Sequence, residues 1–141
     1  MPAVPLPCMC ASFRRAARAL TQLYDDALRP LGLRVTQFTI LQALSLTGEI
    51  SQGDLGRLLV LDSTTLTRTL HLMRPWIEER PGKDRRERRL RLSRLGRRQL
   101  ERVSGPWEKL QSQLQTRMGE RRWDELHAAA TEISNTIAKP A

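Results

Sequence analysis

The sequence predicts a mainly α-helical domain that carries one small β-hairpin. Apolar residues recur at three- and four-residue spacing along most of the chain, which is the period of an amphipathic helix. The spacing changes to strict alternation only near residues 88–92, as is typical of a strand. The 141 residues, 40% of them hydrophobic, suffice for one domain with a core. No run of about 18 apolar residues occurs, so we expect no membrane span and a cytoplasmic protein.

The amino-terminal part predicts a leader followed by a long helix. Residues 1–10 hold three prolines and predict a flexible leader. They lack the basic and apolar regions of a signal peptide. From residue 11 to about residue 29 the apolar residues follow a helical period, and Pro30 and Gly32 end that helix.

Two short helices are predicted next. Thr36 is a typical N-cap for a second helix, which Gly48 closes. Ser51, with Asp54 three residues later, resembles a capping box in which Asp replaces the usual Glu or Gln. It starts a third helix that runs to about Leu59.

A fourth helix follows, with Asp62 or Ser63 as its cap. Pro75 ends it, because proline disfavours the helical conformation of the residue before it. The inward stripe consists of apolar residues at helical spacing, namely Leu66, Leu70 and Met73.

A hairpin and two helices complete the predicted order. Residues 76–81 and 88–92 are predicted to be two strands joined by a turn. A long helix runs from about residue 93 to about residue 118, and Pro106 is expected to kink it. A last helix spans about residues 120–137.

The positive charge is concentrated in one segment. The chain has a net charge of +9, and the segment from Arg80 to Arg98 holds nine Arg and one Lys against Asp84 and Glu87, a net +8. A localised basic block is typical of a surface that binds nucleic acid. A solvated helix face is the alternative.

A short helix, a tight turn, a second helix and a hairpin form the pattern of a winged helix-turn-helix. The second helix of such a unit lies in the major groove of DNA and contacts bases near its N-terminus. Hydroxyl groups suit phosphates or base edges, and a guanidinium pairs with guanine through two hydrogen bonds. The candidate DNA-contacting residues of this helix are Ser63, Thr64, Thr65, Thr67, Arg68 and His71. The alternative is that Ser63, Thr64 and Thr65 only cap and cover a surface helix.

The hairpin loop is the candidate wing. Its basic residues, positioned to follow the phosphate backbone or enter the minor groove, are Lys83, Arg85, Arg86 and Arg88. Asp84 is expected to orient a neighbouring guanidinium, that of Arg86, through an ion pair.

Eight segments between residues 11 and 138 carry a family resemblance through their order and spacing. They are Leu31-Gly32-Leu33, Thr36-Gln37-Phe38, Leu41, Leu55, Asp62-Ser63-Thr64-Thr65-Leu66-Thr67-Arg68, Trp76-Ile77, Asp84-Arg85-Arg86 and Leu92-Ser93-Arg94-Leu95-Gly96. In them the chain resembles the multiple-antibiotic-resistance regulator (MarR) family of bacterial transcription factors. The resemblance implies an obligate homodimer on a pseudo-palindromic operator, with the fourth helix in the major groove and the wing along the minor groove. It also implies release by a small ligand or by oxidation.

One structural domain with four regions is therefore expected: a leader (1–10), an N-terminal dimerisation helix (11–33), a winged helix-turn-helix DNA-binding region (34–96) and C-terminal dimerisation helices (97–138). The helical dimerisation region thus draws on both termini. Two residues depart from the family pattern, because Val60 and Pro75 stand where glycine is usual. Val60 predicts a turn that avoids positive φ. Pro75 predicts an altered passage from the fourth helix to the first strand.

Both ends of the chain carry apolar stripes that a DNA-binding core does not need. Their helical spacing favours a dimer interface, and packing of these helices within one chain is the alternative. The predicted interface residues are Phe13, Leu20, Trp107, Leu110, Leu114, Trp123, Leu126, Ile133 and Ile137.

Cys8 and Cys10 are the one group of residues in the sequence that could carry out redox or metal-binding chemistry. They stand where the first helix begins, near Arg14 and Arg15, and a redox switch is one interpretation. Ordinary thiols in a loose tail or at a subunit interface are the other. Two thiols do not complete a zinc site, so we expect no metal and no other cofactor. No phosphate-binding glycine loop or nucleophile–base pair is visible, and we expect no enzyme.

The sequence thus predicts a homodimeric, sequence-specific transcriptional regulator, a repressor of the MarR type. Its expected partners are double-stranded DNA, a second copy of the chain and a small-molecule effector. The alternatives are a winged-helix module that binds a protein or structured RNA, and a thiol-based redox sensor.

Overall fold

Six helices and a three-stranded sheet make up the described part of the chain. The computed structural model describes residues 1–2 and 4–138, so position 3 of the predicted leader lies outside the described residues. The elements in chain order are α1 (Met9–Leu28), α2 (Val35–Thr47), β1 (Ile50–Ser51), α3 (Gln52–Leu59), α4 (Ser63–Leu72), β2 (Ile77–Pro81), β3 (Arg88–Leu92), α5 (Arg94–Met118) and α6 (Glu120–Ile137). This confirms the predicted winged-helix class. Among the described helices, none has the length and apolar character needed to cross a membrane.

Ser51 caps α3 as predicted, but the second contact of a capping box differs, because the Asp54 carboxylate accepts from the Ser51 hydroxyl in place of the Ser51 backbone N–H. The Ser51 hydroxyl oxygen accepts a hydrogen bond from the backbone N–H of Asp54 (3.0 Å) and donates one to the Asp54 carboxylate (2.7 Å). The hydroxyl therefore satisfies one of the amide groups that a helix start leaves without a partner.

α2 begins earlier than predicted. Thr36 was expected to cap this helix, but Arg34 holds the cap position. The backbone N–H of Arg34 donates to Gln37 Oε1 (3.0 Å), and the N–H of Val35 donates to Asp25 Oδ1 on α1 (2.7 Å). A carboxylate from a neighbouring helix thus replaces the local cap that sequence spacing predicted.

The turn between α3 and α4 is strained at Val60. Its φ and ψ of 53° and 44° lie in the left-handed region, so the prediction that this turn avoids positive φ was wrong. Among the described residues it is the one non-glycine residue with positive φ. This conformation costs an L-residue about 1–2 kcal/mol. Since the side chain is 60% exposed, the little apolar surface that it buries does not offset this conformational energy.

The sheet has one more strand than predicted. β1 pairs with β3 through Ile50 opposite Leu90, and β2 pairs with the other edge of β3 through Ile77 opposite Leu92. All pairings are antiparallel, and the strand order is β1–β3–β2. Trp76 was predicted in the first wing strand, but it ends a 3₁₀ turn at Arg74–Trp76 that also contains Pro75.

One apolar core joins α1, the reading head (α2 to β3, residues 35–92) and α5. Its most deeply buried side chains include Leu28, Leu33, Phe38, Ile40, Leu41, Leu44, Leu55, Leu66, Met73, Leu90 and Val103. The predicted inward stripe of α4 belongs to it. Trp107 of α5 packs on Phe38 with a distance of 5.5 Å between ring centroids, which fixes α5 to the reading head.

α5 starts against the connection between α4 and β2. The Ser93 hydroxyl donates to the Pro75 carbonyl (2.7 Å), and the Ser93 N–H donates to the Trp76 carbonyl (2.9 Å). Gly96 approaches so closely that a Cβ there would stand 2.1 Å from the Trp76 carbonyl oxygen. From this junction α5 continues through Pro106 as one helix.

Candidate nucleic-acid interface

The predicted polar face of α4 is exposed. Leu66 and Leu70 turn inward with 1% and 5% of their surface exposed. The candidate DNA-contacting residues that lie on the outer surface are Ser63, Thr64, Thr65, Thr67, Arg68 and His71. The helix therefore presents a polar surface without an acidic residue beyond its cap.

Asp62 caps α4 and engages Thr65. The backbone N–H of Thr65 donates to Asp62 Oδ1 (2.8 Å), and its hydroxyl donates to Oδ2 (2.7 Å). These hydrogen bonds, the one from the Thr65 hydroxyl above all, lower the pKa of the Asp62 carboxyl. The Asp62 carboxyl is therefore ionised at neutral pH. The Thr65 hydroxyl, which was predicted to contact DNA, donates its hydrogen to this carboxylate instead.

The wing loop holds its cations at the tip of the hairpin. Its exposed basic side chains without an ion pair among the described residues are Lys83, Arg85 and Arg86. The loop is closed by a hydrogen bond from the Gly82 N–H to the Glu87 carbonyl (2.8 Å). Asp84 Oδ1 accepts from the backbone N–H of Arg86 (3.2 Å). Asp84 therefore shapes the loop backbone, and the predicted ion pair with the Arg86 guanidinium is replaced by this contact.

The arginines of the wing strands are paired with glutamates. The pairs are Arg89 with Glu49 (3.0 Å) and Glu87 (2.9 Å), Arg91 with Glu78 (2.6 Å), Arg88 with Glu79 (3.3 Å) and Arg80 with Glu49 (4.0 Å). The carboxylates of Glu87 and Glu49 raise the pKa of Arg89. Three of these glutamates lie outside the basic segment counted in the sequence, so +8 overstates its charge. Arg88, predicted as a wing contact, is one of the paired residues.

A single groove joins α4, the candidate recognition helix, to the wing. It has a volume of about 1190 Å³, and the end of α6 lies along it. Its polar and charged lining residues include Gln52, Ser63, Thr67, Arg86 and Arg88. The two surfaces that the sequence predicted separately, on α4 and on the wing, are thus parts of one surface.

Gln52 belongs to this surface and was not predicted. It is the first residue of α3, and its Nε2 donates a hydrogen bond to Thr67 Oγ1 on α4 (3.2 Å). Its position directly after the Ser51 cap is a signal that could have placed it near the start of α4. Sequence spacing alone did not show the pairing, because the two residues are 15 positions apart.

The predicted dimer residues divide into covered and exposed groups. Leu110 and Leu114 are buried within the chain, as is most of Trp107. The exposed members are Phe13, Leu20, Leu126 and Ile137, with Trp123 and Ile133 half-buried. α6 contains no buried residue. The exposed group therefore leaves an apolar surface along α1 and α6.

The cysteines lie where α1 begins. Cys8 is the residue before the helix and Cys10 is in its first turn, and both are free and exposed. The leader folds back on the helix, because Ser12 donates to the Leu6 carbonyl (3.1 Å) and Arg15 to the Val4 carbonyl (2.9 Å). Among the described residues, no group of three or more His, Cys, Asp or Glu could hold a metal ion.

A capped helix with a polar outer face, set behind a short helix and beside a cationic hairpin, defines a winged helix-turn-helix domain. The M. tuberculosis transcriptional regulator MosR, crystallised in complex with DNA, is 34% identical, covers 91% of this chain and 94% of its own, and gives a TM-score of 0.81. The helix-turn-helix transcriptional regulator YwoH of Bacillus subtilis is 26% identical over 102 residues, 71% of this chain and 74% of YwoH. A mutant MarR from E. coli complexed with operator DNA has the same fold, with a TM-score of 0.78 at 20% identity over 89% of this chain and 92% of that chain. No protein-family model matches the chain.

The chain belongs to the MarR family of winged helix-turn-helix transcriptional regulators. This confirms the family that the sequence motifs resemble.

Proposed function

We propose that the protein is a homodimeric, sequence-specific DNA-binding regulator that acts in the cytoplasm as a repressor. The groove that joins the polar face of α4 to the wing carries this proposal. It presents hydroxyl, amide and guanidinium groups to a duplex, and its two carboxylates, Asp62 and Glu87, are engaged by Thr65 and Arg89. MosR and MarR, which share the fold, were crystallised with DNA, and this supports the same partner here.

The two parts of the surface have different roles in binding DNA. Arg68, exposed on α4, reads a base edge, because a guanidinium recognises guanine through two hydrogen bonds. Lys83, Arg85 and Arg86 at the wing loop neutralise phosphates, which adds affinity without sequence preference. The protein acts by binding, with no catalytic step.

A selection from random duplexes followed by a salt titration tests this proposal. We expect a palindromic site. Arg68→Ala then weakens binding and relaxes the base preference, whereas Arg85→Ala weakens all sequences and lowers the slope of log Kd against log salt by about 0.9 per lost phosphate contact. Arg121→Ala is the control, because it removes the same charge from an exposed residue in the first turn of α6. Unchanged operator affinity in both test variants would refute the proposal.

Dimerisation is supported by the exposed apolar side chains of α6. This helix buries none of its residues, yet Leu126 and Ile137 expose much of their apolar surface. A second copy of the chain would cover this face and place two α4 helices about 34 Å apart, one turn of DNA. Repression then follows because a dimer bound at a promoter blocks access to it.

Release from DNA is proposed to follow a small ligand or oxidation. For oxidation, Cys8 and Cys10 are the candidate thiols, since both are exposed. One thiolate attacks hydrogen peroxide to give a sulfenic acid and hydroxide, and a second thiol then condenses with the sulfenic acid to form a disulfide and release water. Operator binding by Cys8→Ser and Cys10→Ser should resist peroxide while wild type is released. Equal sensitivity would exclude these thiols.

A competition binding assay distinguishes the proposed regulator from a winged-helix module that binds structured RNA or a protein. Binding to the selected duplex that survives excess unrelated DNA, and is not displaced by structured RNA, supports the regulator. Displacement by RNA at equal concentration would favour the alternative.

A further inference from the structure

We propose that Gln52 is a specificity-determining residue that sets the base preference of the recognition helix through Thr67. The inference rests on the proposed DNA-binding function. Gln52 begins α3 and lies across from α4, within the groove that also contains Ser63 and Arg86. It is therefore on the surface that meets DNA, although it lies outside the recognition helix itself.

The hydrogen bond between Gln52 and Thr67 determines which way the Thr67 hydroxyl points. Thr67 Oγ1 accepts from Gln52 Nε2 (3.2 Å), so its own hydrogen is directed to another acceptor. Thr69, two residues further along α4, instead donates to the carbonyl of Thr65 within its own helix (2.9 Å). Thr67 thus presents a donor to the duplex, and Thr69 does not.

Gln52 retains an acceptor and a donor of its own. The contact with Thr67 uses one N–H of the amide, which leaves Oε1 and the second N–H. An adjacent acceptor and donor on one side chain match N6 and N7 of adenine in the major groove. The preferred partner is therefore an A·T base pair beside the bases that the first turns of α4 contact.

The chemistry of this contact differs from that of the wing. Gln52 is neutral, so its contribution releases no counterion and does not change the salt dependence of binding. The loss of Gln52 should alter which sequence is bound, whereas loss of Arg85 should alter how strongly every sequence is bound.

The test measures Kd for the selected operator and for all single base-pair changes in one half-site, with the full-length protein. Gln52→Ala should reduce discrimination about tenfold at one A·T position and leave the salt slope unchanged. Gln52→Glu should shift the preference at that position towards C·G, because a carboxylate accepts from cytosine N4. An unaltered base profile in both variants overturns the inference.

A double-mutant cycle tests the coupling to Thr67. The effects of Gln52→Ala and Thr67→Val on operator binding should deviate from additivity by about threefold or more. The matched pair of Gln52→Ala with Thr69→Val should be additive. Additive behaviour of both pairs overturns the role of Thr67. If wild type shows no base preference at any position, the proposed function itself fails, and this outcome is distinct from a normal wild type with an unaltered Gln52→Ala profile.

Discussion

Alanine at Gly96 should loosen the junction between α5 and the reading head. A Cβ there would stand 2.1 Å from the carbonyl oxygen and 3.0 Å from the carbonyl carbon of Trp76. Both are backbone atoms, so no rotation of a side chain relieves the overlap. The start of α5 has to move by about 1 Å to restore van der Waals contact.

The cost of that movement combines two contributions. Forcing extra volume into a packed contact costs about 1–3 kcal/mol. The displaced helix also strains the hydrogen bonds from Ser93 to the carbonyls of Pro75 and Trp76 (2.7 and 2.9 Å), each of which contributes about 1 kcal/mol. We expect Gly96→Ala to lower the free energy of unfolding by about 3 kcal/mol, and Tm by about 10 °C for a chain of this size.

Urea denaturation followed by circular dichroism measures this effect. Gly105→Ala is the matched control, because it lies in the same helix and a Cβ there meets nothing within 4 Å. It should change the free energy of unfolding by less than about 1 kcal/mol, because the helix preference of alanine over glycine is offset by the restriction that Pro106 places on the residue before it. A Gly96→Ala protein as stable as wild type would refute the packing argument.

Three further changes test other parts of the structure. Val60→Gly should raise the free energy of unfolding by about 1 kcal/mol in urea denaturation, because glycine adopts positive φ without strain; an unchanged midpoint contradicts this. Asp62→Asn keeps a cap but removes a carboxyl whose pKa is lowered in the folded chain. Wild type should therefore lose stability relative to the variant as pH falls below about 4, and the difference should be constant near neutral pH; a pH-independent difference opposes it. Leu126→Glu should reduce dimerisation in sedimentation measurements while Ala128→Glu, on the opposite side of α6, should not; equal effects contradict a one-sided interface.

Signals within a few residues predicted most of the fold. The alternation at 88–92 and the helical period at 120–137 match β3 and α6, since each element is determined by its own amphipathic pattern. β1 was missed because two residues carry no pattern, and its pairing with β3 depends on residues 40 positions away. The conformation of Val60 was predicted wrongly because the helices on either side fix the turn and override the local preference.

The sequence predicted the separate surfaces of the site but not the side-chain contacts within and between them. The outward face of α4 followed from its period, and the wing loop followed from its charge. The role of Thr65 in the cap and the contact of Asp84 with the Arg86 backbone depend on rotamers that sequence does not specify. The pairing of strand arginines with Glu49 and Glu78 required the sheet register.

The ion pairs of the wing strands set how the protein should respond to ionic strength. The charge of an arginine held by a glutamate is offset within the protein, so this arginine neutralises no phosphate and displaces no counterion from DNA. The charges of the arginines and glutamates on the sheet thus nearly cancel. The loop cations Lys83, Arg85 and Arg86 lie at the end of the sheet. Each wing should therefore contribute about three phosphate neutralisations to the salt dependence, far fewer than the arginines of the segment suggest. The strand glutamates should make DNA binding less sensitive to salt and leave more of the affinity to base contacts.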